Sequence, residues 1–239
     1  MKIRSILIAQ LAVLLSSAAW AADVSDDKVN VDSIKQKYWA RGDESELGVV
    51  QNRLYTKSGK VEFSVFGGFV SSDPFLSVHN VGGSLGYHLT EYLSLNVMGW
   101  KAFASPSSAL STFQQVSGAT TNTNEPKSYI GTELAADLIY GKLSLAGKKI
   151  IYYDFHLLGG LGVTSTQSGN DFTPSVGLGQ QTWISKCVAL KIDYRLMEYH
   201  EDIVEKVKPS LLGQVVDNRA NWTNVITVGF SFLFGRGEE

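Results

Sequence analysis

Residues 222–234 read WTNVITVGFSFLF, and their large apolar and small polar side chains alternate with a period of two. In an extended chain successive side chains point to opposite faces, so Trp222, Ile226, Val228, Phe230, Phe232 and Phe234 fall on one side and Thr223, Thr227, Gly229 and Ser231 on the other. A helical period of 3.6 would scatter both sets around the axis. The segment is therefore read as a long strand, with one large apolar face and one small polar face. It closes on three alternating phenylalanines five residues before the end of the sequence.

The same pattern recurs upstream. Val61, Phe63, Val65 and Phe69 oppose Glu62, Ser64 and Phe66 in a first strand; Val81, Leu85 and Tyr87 oppose Ser84, Gly86 and His88 in a second; Leu93, Leu95 and Val97 oppose Asn96, Met98 and Trp100 in a third. Ile130, Leu134 and Leu138 oppose Glu133 and Asp137, and Phe155, Leu157, Leu161 and Val163 oppose Asp154, His156 and Gly160. A weaker sixth strand sets Val176, Leu178 and Ile184 against Gly177, Gly179, Gln181 and Trp183; in a seventh, Leu190, Ile192, Tyr194 and Leu196 oppose Lys191, Asp193 and Arg195. The reading gives about eight strands of roughly ten residues, the length that crosses a bilayer at a tilt.

Alternation alone does not say which face is outside, because a soluble up-and-down barrel shows the same period with the faces exchanged. Composition separates the two. Charged residues are 18% of the chain, below the roughly 25% of a soluble domain, so the polar faces are too poor in Lys and Glu for a water-facing surface. Small and mixed-sign residues suit a narrow interior, and aromatic-tipped apolar faces suit lipid. The expected fold is all-β: a closed antiparallel transmembrane β-barrel of about eight strands with a short polar N-terminal extension. With 21 Lys and Arg against 23 Asp and Glu, a nucleic-acid partner is not expected. A single cysteine, Cys187, excludes an intramolecular disulfide framework.

Four segments are expected. Residues 1–21 read as a secretory signal: Lys2 and Arg4, then an apolar run from Ile6 to Leu15, then Ala19-Trp20-Ala21 as the cleavage site. Residues 22–59 are read as a polar periplasmic tail holding a short helix over 33–40, residues 60–234 as the outer-membrane barrel, and residues 235–239 as a C-terminal tail. Long polar links over 105–127 and 198–221 and a shorter one over 165–174 follow the third, seventh and fifth strands, and the links after the even strands are short. That asymmetry is the one between external loops and periplasmic turns.

An eight-stranded barrel has an interior that side chains fill, which argues against a diffusion porin. Inward acids Glu62, Glu133, Asp137, Asp154 and Asp193 then need partners, with Lys191, Arg195 and His156 available, and salt-bridge ladders joining the seventh, fifth and fourth strands are expected. This network is read as structural packing. No catalytic residue, cofactor or metal ligand is assigned. His200-Glu201-Asp202 is read as a solvated loop, since three adjacent side chains do not converge on one point, although Asp73 and His79 near the first link are candidates to approach it. Gly159-Gly160-Leu161-Gly162 is assigned to tight curvature, because no helix follows it as a phosphate loop requires. The Thr- and Asn-rich run 119–124 reads as flexible.

The sequence Val49-Val50-Gln51-Asn52-Arg53-Leu54-Tyr55, then Lys57-Ser58-Gly59-Lys60-Val61-Glu62, Gly67-Gly68 and Asp73-Pro74-Phe75, resembles a family of outer-membrane β-barrel domain proteins common in predatory and gliding Gram-negative bacteria. Val81-Gly82-Gly83, Leu85 to Tyr92 and Tyr140-Gly141-Lys142 share the resemblance, which spans about residues 48–234. It implies architecture and an outer-membrane location, and it carries no catalytic residue. The expected function is a small non-enzymatic outer-membrane protein with structural or partner-binding roles through its external loops and periplasmic segment; a rim enzyme acting on lipid or peptide and a narrow channel are the alternatives. Outer-membrane lipid, the barrel-assembly machinery reading Phe230, Phe232 and Phe234, and a protein at the loops or periplasmic face are the expected partners.

Overall fold

The computed structural model describes residues 55–145 and 149–235. The expected signal, the helix over 33–40 and most of the 22–59 tail lie outside them. Eight strands follow in chain order: β1 (Val61–Ser71), β2 (Leu76–His88), β3 (Leu93–Pro106), β4 (Pro126–Leu145), β5 (Lys149–Thr166), β6 (Asn170–Trp183), β7 (Val188–Val204) and β8 (Val215–Phe234). One helix, α1 (Ser108–Ser117), lies between β3 and β4. Every strand pairs antiparallel with its neighbour in sequence, and β1 pairs with β8, closing the ring.

The register fixes the barrel's geometry. Stepping across partners from Val61 leads through Tyr87, Leu95, Leu134, Gly159, Val176, Leu196 and Asn224 back to β1 at Ser71, ten residues along the strand from the start. A stagger of ten over eight strands sets a tilt of about 40°, within the range of membrane barrels. Closure also removes every sheet edge from the spanning region, which hydrocarbon requires because it cannot hydrogen-bond an open edge.

The outside is apolar. Val61, Phe63, Val65 and Phe69 of β1, Phe172, Val176 and Leu178 of β6, and Trp222, Ile226, Val228, Phe230 and Phe234 of β8 are all exposed, as the two-residue period demands. Phe69, Phe103, Phe172 and Trp222 mark this band toward one end, and Tyr87, Tyr92, Phe155 and Phe234 toward the other. Such a surface has no place in water, so the fold is a transmembrane barrel, as the sequence led us to expect. The end where the chain enters β1 and leaves β8 is called the terminal end, and the opposite one the loop end.

Three features depart from the sequence reading. The strands run from 11 to 20 residues, because β7 and β8 continue together past the apolar band. The link after β7 is therefore 205–214, not 198–221, and the link after β5 shrinks to 167–169, with Pro174 inside β6. At the terminal end β4 last pairs with β3 at Ala136 and β5 last pairs with β6 at Tyr153, yet the β4–β5 ladder continues to Leu145 and Lys149. That hairpin stands beyond the rim by something on the order of 15 Å at this rise and tilt. A register shift between Asp137 and Ile139 turns both Leu138 and Ile139 outward at its base.

Candidate functional site

The lumen is the candidate site, and it is filled in layers. At the centre Arg195 of β7 makes a two-pronged contact with Glu133 of β4, its Nε donating to Oε2 at 2.7 Å and Nη2 to Oε1 at 3.1 Å. The same guanidinium donates to Asp193 at 3.0 Å and to the Thr227 hydroxyl at 3.1 Å. His156 of β5 contacts the other Asp193 oxygen through Nε2 at 2.9 Å, and its Nδ1 lies 3.9 Å from Asp137. Glu62 of β1 receives Lys191 Nζ at 3.2 Å and the Ser64 and Ser231 hydroxyls at 3.0 Å each, and contacts His88 Nε2 at 2.9 Å. A charge taken out of water is costly unless paired and hydrogen-bonded, and Glu62, Glu133 and Asp193 each make at least two polar contacts here.

The structure thus brings Glu62, Glu133, Asp137, Asp154, His156, Lys191, Asp193 and Arg195 into the lumen, on four strands. The sequence reading missed His88 as a partner of Glu62. It also missed Lys57, which lies five residues before Glu62, the barrel's first inward acid, and within the segment read as the polar tail. Lys57 is 0% exposed. Its Nζ lies 3.0 Å from both Asp137 and Asp154 and donates to Gln181 Oε1 at 3.2 Å. The sequence signal for this is present only in bookkeeping of sign: five inward acids face two inward cations on the strands, so a further cation is needed.

Toward the loop end an apolar layer blocks the bore. Val70, Val78, Met98, Trp100, Tyr129, Met197 and Val225 form one buried cluster, with Phe66 packed against it. Glycines make the room: a Cβ on Gly82 would fall 2.5 Å from Trp100 Cβ, and one on Gly229 2.6 Å from Phe66 Cβ. The Gly160 and Gly162 positions follow the same rule, meeting Ser175 Oγ at 2.9 Å and the Tyr129 ring at 2.5 Å. Between the charged and apolar layers lies a cavity of about 10 Å³ lined by Ser64, Phe66, Asn96, Glu133 and Arg195 among others. That is space for a single water at most.

Above this layer the loops are laced together. Glu201, fully buried, accepts from Arg219 Nε at 2.7 Å, Asn221 Nδ2 at 2.9 Å and Asn124 Nδ2 at 2.8 Å. Arg219 also reaches Asp73 in the β1–β2 link at 2.9 Å, and Asn124 reaches Ser168 in the β5–β6 link at 2.9 Å. Lys206 donates to the Thr123 carbonyl at 2.7 Å and to Gln167, and its backbone N–H donates to Asn122 at 2.9 Å. The expectation of a solvated His200-Glu201-Asp202 loop is therefore corrected: all three lie in β7, Glu201 points in and His200 points out. Asp73 does join Glu201, through Arg219, whereas His79 packs on Phe69 on the outer face. The 119–124 run is tied down at 122–124. Before it, α1 is held by Ser107 as N-cap, whose side chain accepts from Leu110 N–H, and by Gly118 in a left-handed C-cap conformation.

Among the described residues no three His, Cys, Asp or Glu side chains converge in a way that could hold a metal ion. Cys187 is exposed in the β6–β7 turn.

No family model and no curated protein matches the chain. Solved structures similar to it include the N-terminal β-barrel domain of OprF from Pseudomonas aeruginosa, at 15% identity over 73% of this chain and 98% of that one with a TM-score of 0.37. The outer membrane protein OprG from Pseudomonas aeruginosa is 9% identical over 76% of this chain and 99% of that one, with a TM-score of 0.42. Neisserial surface protein A is 15% identical over 73% of this chain and 96% of that one, with a TM-score of 0.36. At these values nothing about role passes from them to this chain. The closed ring rests on the chain's own register.

Proposed function

We propose that this chain is a small non-enzymatic outer-membrane barrel whose task is to hold a rigid loop surface at the cell exterior, with its terminal end in the periplasm. The observation that carries the reading is that a buried apolar layer and a paired charged layer cross the bore while the four loop-end links are cross-braced around Glu201, Asn124 and Lys206. A filled lumen has no route for solute, and side chains facing lipid are committed to lipid, so recognition falls to the loops. The alternative of a rim enzyme built on His200 is disfavoured by geometry, since His200 stands on the outer face of β7 and Glu201 on the inner. The narrow channel is disfavoured by the Phe66, Trp100 and Tyr129 layer. The motif resemblance to barrel proteins of predatory and gliding bacteria supports the outer-membrane setting and suggests that kind of source. Phe230, Phe232 and Phe234 are proposed as what the assembly machinery reads.

Orientation and role are tested together. In intact cells, a Thr112→Cys variant in a Cys187→Ser background is expected to react with a membrane-impermeant maleimide, and the native Cys187 is expected to stay unlabelled until the outer membrane is opened. Replacing 108–121 with a short Gly-Ser turn, which spares Asn122 and Asn124, is expected to leave the barrel folded and to abolish any surface phenotype of the gene. Labelling of Cys187 in intact cells would reverse the orientation; a phenotype lost on His200→Ala and kept on loop replacement would favour the enzyme.

A further inference from the structure

The terminal mouth of the lumen holds the group least explained by packing a barrel. Five carboxylates, Glu62, Glu133, Asp137, Asp154 and Asp193, face inward, and the strands answer them with Lys191 and Arg195 as permanent cations. The remaining cation, Lys57, comes from outside the strands, four residues before β1. Its Nζ sits between Asp137 of β4, Asp154 of β5 and Gln181 of β6, and 5.7 Å from the centre of the Trp183 ring. Trp183 Nε1 donates to Asp154 at 2.7 Å, which fixes the carboxylate toward the cation. Gln181 is 2% exposed, and among the described residues its Nε2 has no hydrogen-bond partner although its Oε1 faces Lys57.

This is the chemistry that recognises a primary ammonium: two carboxylates and an amide oxygen as acceptors, with an aromatic face alongside. Lys57 reaches it on a segment that is itself seated on the barrel, with Gly59 N–H donating to the His88 carbonyl at 2.9 Å and Lys60 Nζ to the Thr56 carbonyl at 2.7 Å. Tyr55 stacks on Trp183 with ring centres 4.9 Å apart and meets Tyr152 edge-on at 5.2 Å; the Lys57 and Ser58 N–H groups donate to the Glu91 carboxylate at 2.9 and 3.0 Å.

We propose that the terminal mouth is a primary-ammonium site filled in cis by Lys57, so that the segment leading into β1 is a stopper seated in the barrel and not part of a free tail. An ammonium on an unbranched aliphatic stem, such as another chain's lysine or a small alkylamine, fits the same site once Lys57 is out. The inference is independent of what the loops bind.

The test uses the full chain refolded into phospholipid vesicles. Lys57→Ala is expected to speed chymotryptic cleavage after Tyr55 by about tenfold or more, since it takes the ammonium from between two buried carboxylates and removes the segment's one charged anchor in the lumen. Added n-butylammonium is expected to restore the slow rate, whereas n-butanol and tetramethylammonium, which lack either the charge or the N–H donors, are expected not to. A cleavage rate unchanged by Lys57→Ala, or equal rescue by n-butanol, would overturn the proposal. If Lys57→Ala does not fold, refolding yield with and without n-butylammonium takes the place of cleavage, and a yield that the amine leaves unchanged would overturn it equally.

Discussion

At the scale of single residues, Arg195 carries the largest consequence. It holds Glu133 by two hydrogen bonds and Asp193 by one, all buried. Arg195→Met strands Glu133 and takes one of two partners from Asp193, and is expected to lower stability by about 3–5 kcal/mol in urea unfolding from vesicles, whereas pairing it with Glu133→Leu recovers a large part of that loss. Gly229 makes a steric counterpart: Gly229→Val drives a branched side chain into Phe66 and the Val65 carbonyl and is expected to destabilise by about 1–3 kcal/mol through overpacking. The inward set was legible because each of its strand members sits at an even step from other small or polar residues, so Glu62, Asp154, Lys191, Asp193 and Arg195 follow from the period alone. Which of them pair was not legible, because cross-strand partners depend on the stagger of the whole ring. Lys57 was hidden for another reason. It belongs to no alternating segment, and only the ring brings Asp137, Asp154 and Gln181 to one place.

At the scale of elements, the apolar period ends where the lipid ends, and so did the reading of strand lengths. Beyond Met197 both faces of β7 become polar, so Glu198, Tyr199, His200 and Glu201 carry no hydrophobic alternation although the ladder with β8 runs on to Val204. Helix α1 was obscured by its Ser, Thr and Gln content, and the Ser107 cap was its one local signal. The β7–β8 link gives a pH prediction. The Glu205 carboxylate accepts the N–H groups of Lys208 and Val207, and these hold its pKa below the ordinary carboxylate value. A depressed pKa contributes stability that is present above the unfolded value and lost as pH falls through the folded one. Amide exchange at Val207 and Lys208, corrected for intrinsic rates, is therefore expected to show protection at neutral pH that disappears on acidification, and Glu205→Gln is expected to remove the pH dependence. The closing strand gives a second prediction. Truncation before Phe230 removes the β8 partners of Val61, Phe63 and Val65 and leaves an open edge in the lipid-facing wall, so membrane insertion is expected to fail; removal of 235–239 is expected to be tolerated.

At the scale of the molecule, eight strands close into a ring with lipid outside and packed side chains inside. Closure binds β1 to β8, the two ends of the described chain, over eleven residue pairs from Val61 with Phe234 to Ser71 with Asn224. Such a ring opens only by breaking the whole seam at once, so it should resist detergent at room temperature and yield only to heat. The direct measurement is gel mobility of the outer-membrane fraction in dodecyl sulfate, unboiled against boiled. A closed ring is expected to give a compact, faster band without heating that converts to a band at the mass of the unfolded chain on boiling. Recovery of the protein in the soluble periplasmic fraction, with one mobility before and after boiling, would contradict it.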